Sequence, residues 1–152
     1  MSGRVFILRG LPGHGKTTVA NWLAPGDNYS ADMYFESLAQ QMSAGRSWKT
    51  FTYNDVFDPK LLPEAHAACY NAFHDACLNT SYACVAVHNT NSRLWEFQKY
   101  IDTAEAFGHE VRVIHVKCVS RVPKSVHNVP DETVQQMIDR WEAYPGELTI
   151  SW

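Results

Sequence analysis

The sequence predicts a three-layer α/β sandwich, in which helices cover both faces of a mostly parallel sheet. Short apolar runs alternate along the chain with segments of helical spacing, which is the pattern of consecutive βα units. The run 84–87 is apolar throughout, as expected for a central parallel strand buried on both faces. No repeat or low-complexity segment interrupts the alternation. We therefore expect one domain, residues 1–152.

The composition is that of an ordinary globular protein, with 45% hydrophobic and 19% charged residues. No apolar run reaches the length of a membrane span, and the N-terminus lacks the apolar core of a signal peptide. We therefore expect a cytoplasmic protein that has no membrane partner. The net charge of −3 argues against non-specific coating of nucleic acid, but it leaves room for a local basic groove.

The four cysteines show no C-x-x-C spacing, and the seven histidines show no H-E-x-x-H motif. Buried or half-buried thiols in a reducing compartment are the favoured interpretation. Metal ligation or disulfide bonding is the alternative. The residues concerned are Cys69, Cys77, Cys84 and Cys118.

The first predicted strand, residues 4–8, runs directly into a glycine-rich loop. Residues 10–17 match G-x-x-x-x-G-K-[ST] at every required position, and a predicted helix follows to Leu23. Strand, loop and helix in this order are the context that a phosphate-binding P-loop requires. The sequence therefore predicts a nucleoside-triphosphate site in residues 10–17, called the phosphate loop below.

The phosphate loop predicts both cofactors, ATP and Mg²⁺. Its glycines let several backbone N–H groups point at a phosphate, and the following helix adds the positive end of its dipole. Lys16 supplies a positive charge toward the β- and γ-phosphates, and the Thr17 hydroxyl can ligate Mg²⁺. The residues predicted to bind ATP here are Leu11, Pro12, Gly13, His14, Gly15, Lys16, Thr17 and Thr18.

A second predicted strand, residues 28–31, ends directly before Asp32. In open parallel sheets the ligand crevice lies off the carboxyl ends of the strands, so Asp32 is expected near the phosphate loop. One interpretation makes Asp32 the general base for an attacking hydroxyl. The alternative makes it the N-cap of a helix that begins near Met33. The two roles are compatible.

The segment 37–53 contains no acidic residue and combines two cations with three aromatic residues. Cations beside aromatic faces suit a surface that stacks bases and steers phosphates of a single strand. The alternative is an irregular insert whose aromatic side chains pack onto the core. The substrate contacts predicted in and just before this segment are Tyr34, Arg46 and Trp48.

The middle of the chain supplies a further helix and strand. Pro63 opens a predicted helix that runs to Leu78, because proline is tolerated in a first helical turn. The strand 84–87 ends at the polar residues 88–91, which again lie at the carboxyl edge of the sheet. We predict that Asn89 contacts the substrate there.

The last third of the chain continues the βα pattern. Residues 93–107 carry apolar side chains at helical spacing, and residues 110–116 alternate like a strand. Pro130 and Asp131 signal the start of a helix, and residues 148–152 are predicted as a last edge strand.

Several motifs in chain order carry a family resemblance. They are Arg9-Gly10-Leu11-Pro12-Gly13-His14-Gly15-Lys16-Thr17-Thr18, Ser30-Ala31-Asp32, Val56-Phe57-Asp58-Pro59, Asn89-Thr90-Asn91 and Val129-Pro130. Over most of the chain, these motifs resemble those of the polynucleotide-kinase-like P-loop kinases. That group includes phage-type polynucleotide 5′-kinases and the ATP-binding domain of the Nedd4-binding protein. The resemblance implies a P-loop NTPase fold of the kinase branch.

The resemblance also implies roles for individual residues. Asp32 matches the family's general base, Lys16 its donor to the triphosphate, and Thr17 its magnesium ligand. Arg121, together with Lys124, lies where the family places a cationic lid over the transferring phosphoryl group, here a short segment near 117–129. Two positions depart from the phage enzymes. Phe35 replaces an arginine that holds substrate phosphate there, and His88-Asn89 replace an acid.

The expected function is therefore an ATP-dependent kinase that acts on a hydroxyl of a polynucleotide, with a 5′-OH end as the first choice. The substrate would be single-stranded DNA or RNA, or DNA or RNA with an exposed end or base. A close alternative moves the acceptor to a hydroxymethyl group on a DNA base. A small-molecule kinase and a non-catalytic ATP-binding module are the remaining alternatives.

Overall fold

A computed structural model describes residues 3–45, 49–79, 83–119 and 129–152. The strands are β1 Arg4–Arg9, β2 Asn28–Tyr29, β3 Cys84–His88, β4 Glu110–Lys117 and β5 Leu148–Ser151. The helices are α1 Lys16–Leu23, α2 Asp32–Ala44, α3 Tyr53–Val56, α4 Leu62–Asn79, α5 Leu94–Ala106 and α6 Asp131–Asp139, with a 3₁₀ turn at Pro59–Leu61.

The strands form one parallel sheet in the order β2-β3-β1-β4-β5. β1 lies at the centre, with Val5 beside Val85 of β3 and Val111 of β4. Its carboxyl end leads into the phosphate loop, so this loop lies between the ends of β3 and β4. The predicted α/β class with a parallel sheet is confirmed.

Alternation along the strands divides the core into two faces, as a sheet with period two requires. Val5, Ile7 and Val87 pack with α4 and α5 on one face. Leu8 and Val116 pack with α1 on the other face. The three predicted layers follow from this alternation.

A third apolar cluster lies outside the sheet, between the helices that connect β2 to β3. Phe35 and Ala39 of α2 pack there with Val56 of α3 and Ala65 of α4. Phe35 is fully buried. The segment 32–79 therefore has a small core of its own beside the carboxyl edge of the sheet.

Two sequence expectations change at the start of α2. β2 ends at Tyr29 rather than residue 31, because Ser30 and Ala31 form the turn that leads into the helix. The N-cap is Ala31, and Asp32 is the first helical residue, so the N-cap interpretation of Asp32 is wrong.

The thiols agree with the sequence analysis. Cys69, Cys77 and Cys118 are buried, Cys84 is half-buried, and all four are free. Across the described residues, no helix is both long and apolar enough to cross a membrane. The single domain with a lid near 117–129 stays a prediction, since residues 120–128 lie outside the described part of the chain.

Arg9, the last residue of β1, has no exposed surface. Its guanidinium donates to the backbone oxygens of Asn91 and Ser92 beyond β3, and to the oxygen of Glu142 before β5. It also pairs with the Glu147 carboxylate at 2.8 Å. One side chain thus joins three segments beneath the phosphate loop.

Arg9→Met should lower the free energy of unfolding by about 3–5 kcal/mol, because it removes the buried donor that these acceptors share. Urea unfolding measures this loss. Arg4→Met, at the other end of the same strand, is the matched control. Its side chain is 67% exposed in an ion pair with Glu110, so about 1 kcal/mol or less is expected. Equal losses in the two variants would contradict a special role for Arg9.

Candidate functional site

The phosphate loop has the backbone shape that the motif predicts. Gly15 adopts a φ of 95°, which favours glycine, and it caps the start of α1. A Cβ at Gly10 would lie 2.6 Å from the backbone oxygen of Val116, so β4 also requires glycine there. The loop therefore curls tightly around the N-terminal end of α1, where backbone N–H groups and the helix dipole favour an anion.

Lys16 lies at the first position of α1 and reaches back across the loop. Its Nζ donates to the backbone oxygens of Gly10 at 2.6 Å and Leu11 at 3.1 Å. Burial lowers the pKa of Lys16 to about 8, while the negative charge of Asp32 acts in the opposite direction. The ammonium is thus held at the loop by carbonyl oxygens that a phosphate could replace.

The other loop positions predicted to bind ATP and Mg²⁺ differ in exposure. Thr17 and Thr18 are exposed in the first turn of α1, where a hydroxyl can reach a bound cation. The residues from Leu11 to Gly15 are half-buried. Their predicted contacts with ATP and Mg²⁺ stay predictions.

Asp32 is exposed and lies on the same edge of the sheet as Lys16. Its charge acts on both Lys16 and His88, so the three side chains share one region. The Tyr53 hydroxyl of α3 donates to Asp32 Oδ1 at 2.7 Å. The carboxylate is therefore open to solvent and near enough to the phosphate loop for its charge to act on Lys16, as the general-base interpretation requires.

Asn89 has a structural task at this edge. Its Oδ1 accepts a hydrogen bond from the backbone N–H of Ala31 at 2.8 Å, and its Nδ2 lies 3.7 Å from Cys69 Sγ. The side chain thereby joins the end of β3 to the N-terminal end of α2. Its predicted substrate contact stays a prediction, and its evident role is to place Asp32.

His88, the last residue of β3, is buried, and its Nε2 lies 3.0 Å from Asn28 Oδ1. Burial, with the nearby charge of Lys16, lowers the pKa of His88 to about 4. The imidazole is therefore neutral at pH 7. The position at which the phage kinases have an acid thus carries no charge here.

Tyr34, two residues after Asp32 in α2, contacts α4. Its hydroxyl donates to Glu64 of α4 at 3.0 Å, and its ring lines a groove of about 410 Å³ between α2 and α4. Asp32 does not line this groove. The structure therefore does not join these two predicted site residues in one cavity.

The other predicted contacts fall outside the described residues. They are Arg46, Trp48, Arg121 and Lys124. Within the described part of the acid-free segment, Lys49 lies 4.7 Å from the centre of the Phe51 ring. Phe51 and Tyr53 pack partly against the cluster of α2, α3 and α4. Both interpretations of this segment thus find some support: a cation does meet an aromatic face, and the aromatic side chains pack on a core.

Sequence reasoning missed two residues of the site. Tyr53 belongs to the acid-free segment, whose composition does not indicate a contact with Asp32. Trp152 belongs to the predicted edge strand, yet its Nε1 donates to the His14 backbone oxygen at 2.9 Å. Its ring also lies 3.1 Å from where a Cβ of Gly15 would be. Pairing of Trp152 with Lys117 beside β4 brings it to the loop, and no local sequence signal reports that contact.

Comparison with known proteins agrees with this geometry. A family model described as an AAA domain matches residues 5–144, most of the chain. The chain belongs to this AAA domain family. It is a P-loop kinase-like domain, with the sheet order and phosphate loop described above.

This AAA domain is similar in sequence to human NEDD4-binding protein 2, with 25% identity over 150 residues. The match covers 91% of this chain and 8% of that protein, so the chain spans a small part of its relative.

Two solved structures share the fold of this AAA domain. Kti12 from Chaetomium thermophilum, solved with ADP-AlF₃, has a TM-score of 0.63 at 15% identity, covering 97% of this chain and 89% of that chain. A gluconokinase from Sinorhizobium meliloti has a TM-score of 0.53 at 17% identity, covering 97% and 80%. At these identities the likeness concerns the fold alone.

The neutral His88 makes the stability of this AAA domain depend on pH. The lowered pKa means that, between pH 4 and 6.5, the unfolded chain binds a proton at this residue that the folded state does not. Stability should therefore fall as the pH drops through this window, with about 2–3 kcal/mol attributable to His88. Urea unfolding between pH 4.5 and 7 of wild type and His88→Gln isolates this part.

His74→Gln, in α4 with a side chain that is 42% exposed, is the control: a change of slope shared by both variants would not come from the burial of His88. An unchanged slope in His88→Gln would show that the imidazole takes up a proton in the folded state as readily as in the unfolded chain.

Proposed function

We propose that this chain is an ATP-dependent kinase that transfers the γ-phosphate to a hydroxyl of a polynucleotide, with a 5′-OH end as the first candidate. The observation that carries the proposal is the exposed carboxylate of Asp32, which interacts electrostatically with Lys16 of the phosphate loop. Phosphoryl transfer depends mainly on positioning and on charge neutralisation. A triphosphate cradle with a carboxylate in the same region meets both needs.

The phosphate loop supports ATP as the donor. Lys16 can exchange the carbonyl oxygens of Gly10 and Leu11 for phosphate oxygens without leaving its place. Kti12, which shares the fold, was solved with ADP-AlF₃. The Thr17 hydroxyl, exposed in the first turn of α1, suits a magnesium ligand. When bound, Mg²⁺ would neutralise charge on the phosphates.

The proposed reaction uses Asp32 as the general base. Its carboxylate accepts the proton of the acceptor hydroxyl while that oxygen forms a bond to the γ-phosphorus. The bond from the γ-phosphorus to the bridging oxygen breaks. ADP leaves and keeps the electron pair of that bond as negative charge on its terminal phosphate. Lys16 and the loop amides offset the charge on the phosphates. We assign to Arg121 and Lys124 the positive charges that cover the transferring phosphoryl group.

A polynucleotide acceptor is supported by the segment before α3. Residues 37–53 carry no acid, Lys49 meets the Phe51 ring, and the segment ends at Tyr53, which contacts Asp32. Positive charge and aromatic faces thus lie in the segment that leads to the proposed base. These are the features that bind single strands with little sequence preference.

A hydroxymethylated DNA base is the second candidate acceptor, favoured by one observation. The rings of Tyr53 and Phe57 are stacked at 5.6 Å beside Asp32, and Phe57 is 39% exposed. An exposed aromatic face close to the general base Asp32 would suit a flipped nucleobase whose hydroxymethyl group points at the Asp32 carboxylate.

Labelled ATP with matched oligonucleotides tests the proposal. One oligonucleotide carries a 5′-OH end, and a second carries a 5′-phosphate and hydroxymethyluracil. We expect label on the first. Label on the second alone would replace the 5′-OH acceptor by the modified base. ATP binding without transfer to either substrate would contradict both acceptors.

Asp32→Asn should lower kcat by about 10²- to 10⁴-fold, because the amide cannot accept the proton. The Kd for ATP should stay unchanged, since the loop donors remain. Steady-state kinetics and calorimetry measure the two quantities. Wild-type kcat in this variant would remove Asp32 as the base.

ATP affinity should fall as the pH rises through about 8, the pKa of Lys16, because a neutral amine no longer attracts phosphate. Lys16→Met should bind ATP weakly and lose this pH dependence. Lys60→Met, outside the phosphate loop, is the control and should behave as wild type. Calorimetric titration at pH 7 and 9 measures the effect. Equal wild-type affinity at both pH values would contradict the role of Lys16.

A further inference from the structure

The hydroxyl of Tyr53 joins α3 to the N-terminal end of α2, which carries the proposed general base. It donates to Asp32 Oδ1 at 2.7 Å, from α3 to the first residue of α2. A hydrogen bond to a charged acceptor at this distance is a strong one. This hydrogen bond therefore favours one orientation of the exposed Asp32 carboxylate.

The Tyr53 ring is itself held in place by its neighbours. It meets the buried Phe35 edge to face at 5.6 Å and stacks on Phe57 at 5.6 Å. The backbone N–H of Thr52 and its hydroxyl both donate to Asp55 Oδ2, at 2.8 and 3.1 Å, which caps the start of α3. The position of the hydroxyl is thus set by packing that does not involve Asp32.

Tyr53 remains a donor at neutral pH. Burial, with the hydrogen bond and the charge of Asp32, raises the pKa of the Tyr53 phenol far above its usual value. The phenol therefore keeps its proton over the range in which a kinase works. It can orient the carboxylate, but it does not compete with it as a base.

We infer that Tyr53 is a positioning residue for the reaction: its hydroxyl holds the Asp32 carboxylate in the orientation that receives the acceptor proton. The inference rests on the proposed function. Asp32 is exposed in the first turn of α2, and the donor on its Oδ1 comes from a ring packed against Phe35 and Phe57. A donor held in this way restricts the direction of the carboxylate, and small misplacements of a reacting group reduce rates strongly.

Tyr53→Phe tests this role, because it removes the hydroxyl and keeps the ring that packs on Phe35 and Phe57. We expect kcat to fall by about 10-fold, while the KM for ATP stays unchanged. A merely structural role would lower kcat by the same factor in a protein that lacks the Asp32 carboxylate, which the double variant below tests.

Tyr70→Phe is the matched control. The Tyr70 hydroxyl makes a 2.7 Å hydrogen bond to Thr103 Oγ1, between α4 and α5 and away from Asp32. Losing it should leave kcat unchanged. A fall in kcat shared by both variants would indicate a general loss of stability and would overturn the inference.

The double variant Asp32→Asn/Tyr53→Phe separates the inference from the proposed function. If Tyr53 acts through Asp32, the double variant should have the kcat of Asp32→Asn alone. Independent effects that multiply would overturn the inference. Wild-type kinetics in Tyr53→Phe, with low activity in Asp32→Asn, would overturn it while leaving the proposed function intact. Wild-type kcat in Asp32→Asn, or no transfer by the wild-type protein, would end both.

Discussion

The buried guanidinium of Arg9 is the constraint on which the carboxyl edge of the sheet depends. Its donors go to backbone oxygens of residues 91, 92 and 142 and to the Glu147 carboxylate. The aromatic rings of Phe97 and Trp141 cover it at 4.7 and 4.5 Å. A buried charge is stable only with its partners in place, so these segments must come together at the end of β1. The phosphate loop begins at the next residue.

Hydrogen bonds to the backbone at neighbouring strand ends position Lys16 and the start of the helix that carries Asp32. Lys16 bonds to the loop that follows β1, and Asn89 bonds from the end of β3 to Ala31, one residue before Asp32. Because β3 pairs with both β1 and β2, the three strand ends lie side by side. The sheet thereby brings a cation and a carboxylate into one region.

The fold alone leaves the acceptor open. Kti12 and a gluconokinase share this architecture, and a shared fold does not by itself identify an acceptor. In this chain the segment between β2 and β3 supplies Asp32, Tyr53 and a separate apolar cluster. The apolar cluster of this segment is separate from the clusters that pack on the two faces of the sheet. The surface of the segment can therefore change while the phosphate loop stays the same.

The sequence by itself determined the fold class, the phosphate loop and the place of Asp32 shortly after β2. These features depend on local spacing: apolar periodicity, a glycine motif and a residue close behind a strand. Only the tertiary structure decided that Arg9 is buried, that Tyr53 bonds to Asp32 and that Trp152 lies on the phosphate loop. The partners in these contacts are far apart in the chain. Their meeting depends on how strands and helices pack, which no local pattern records.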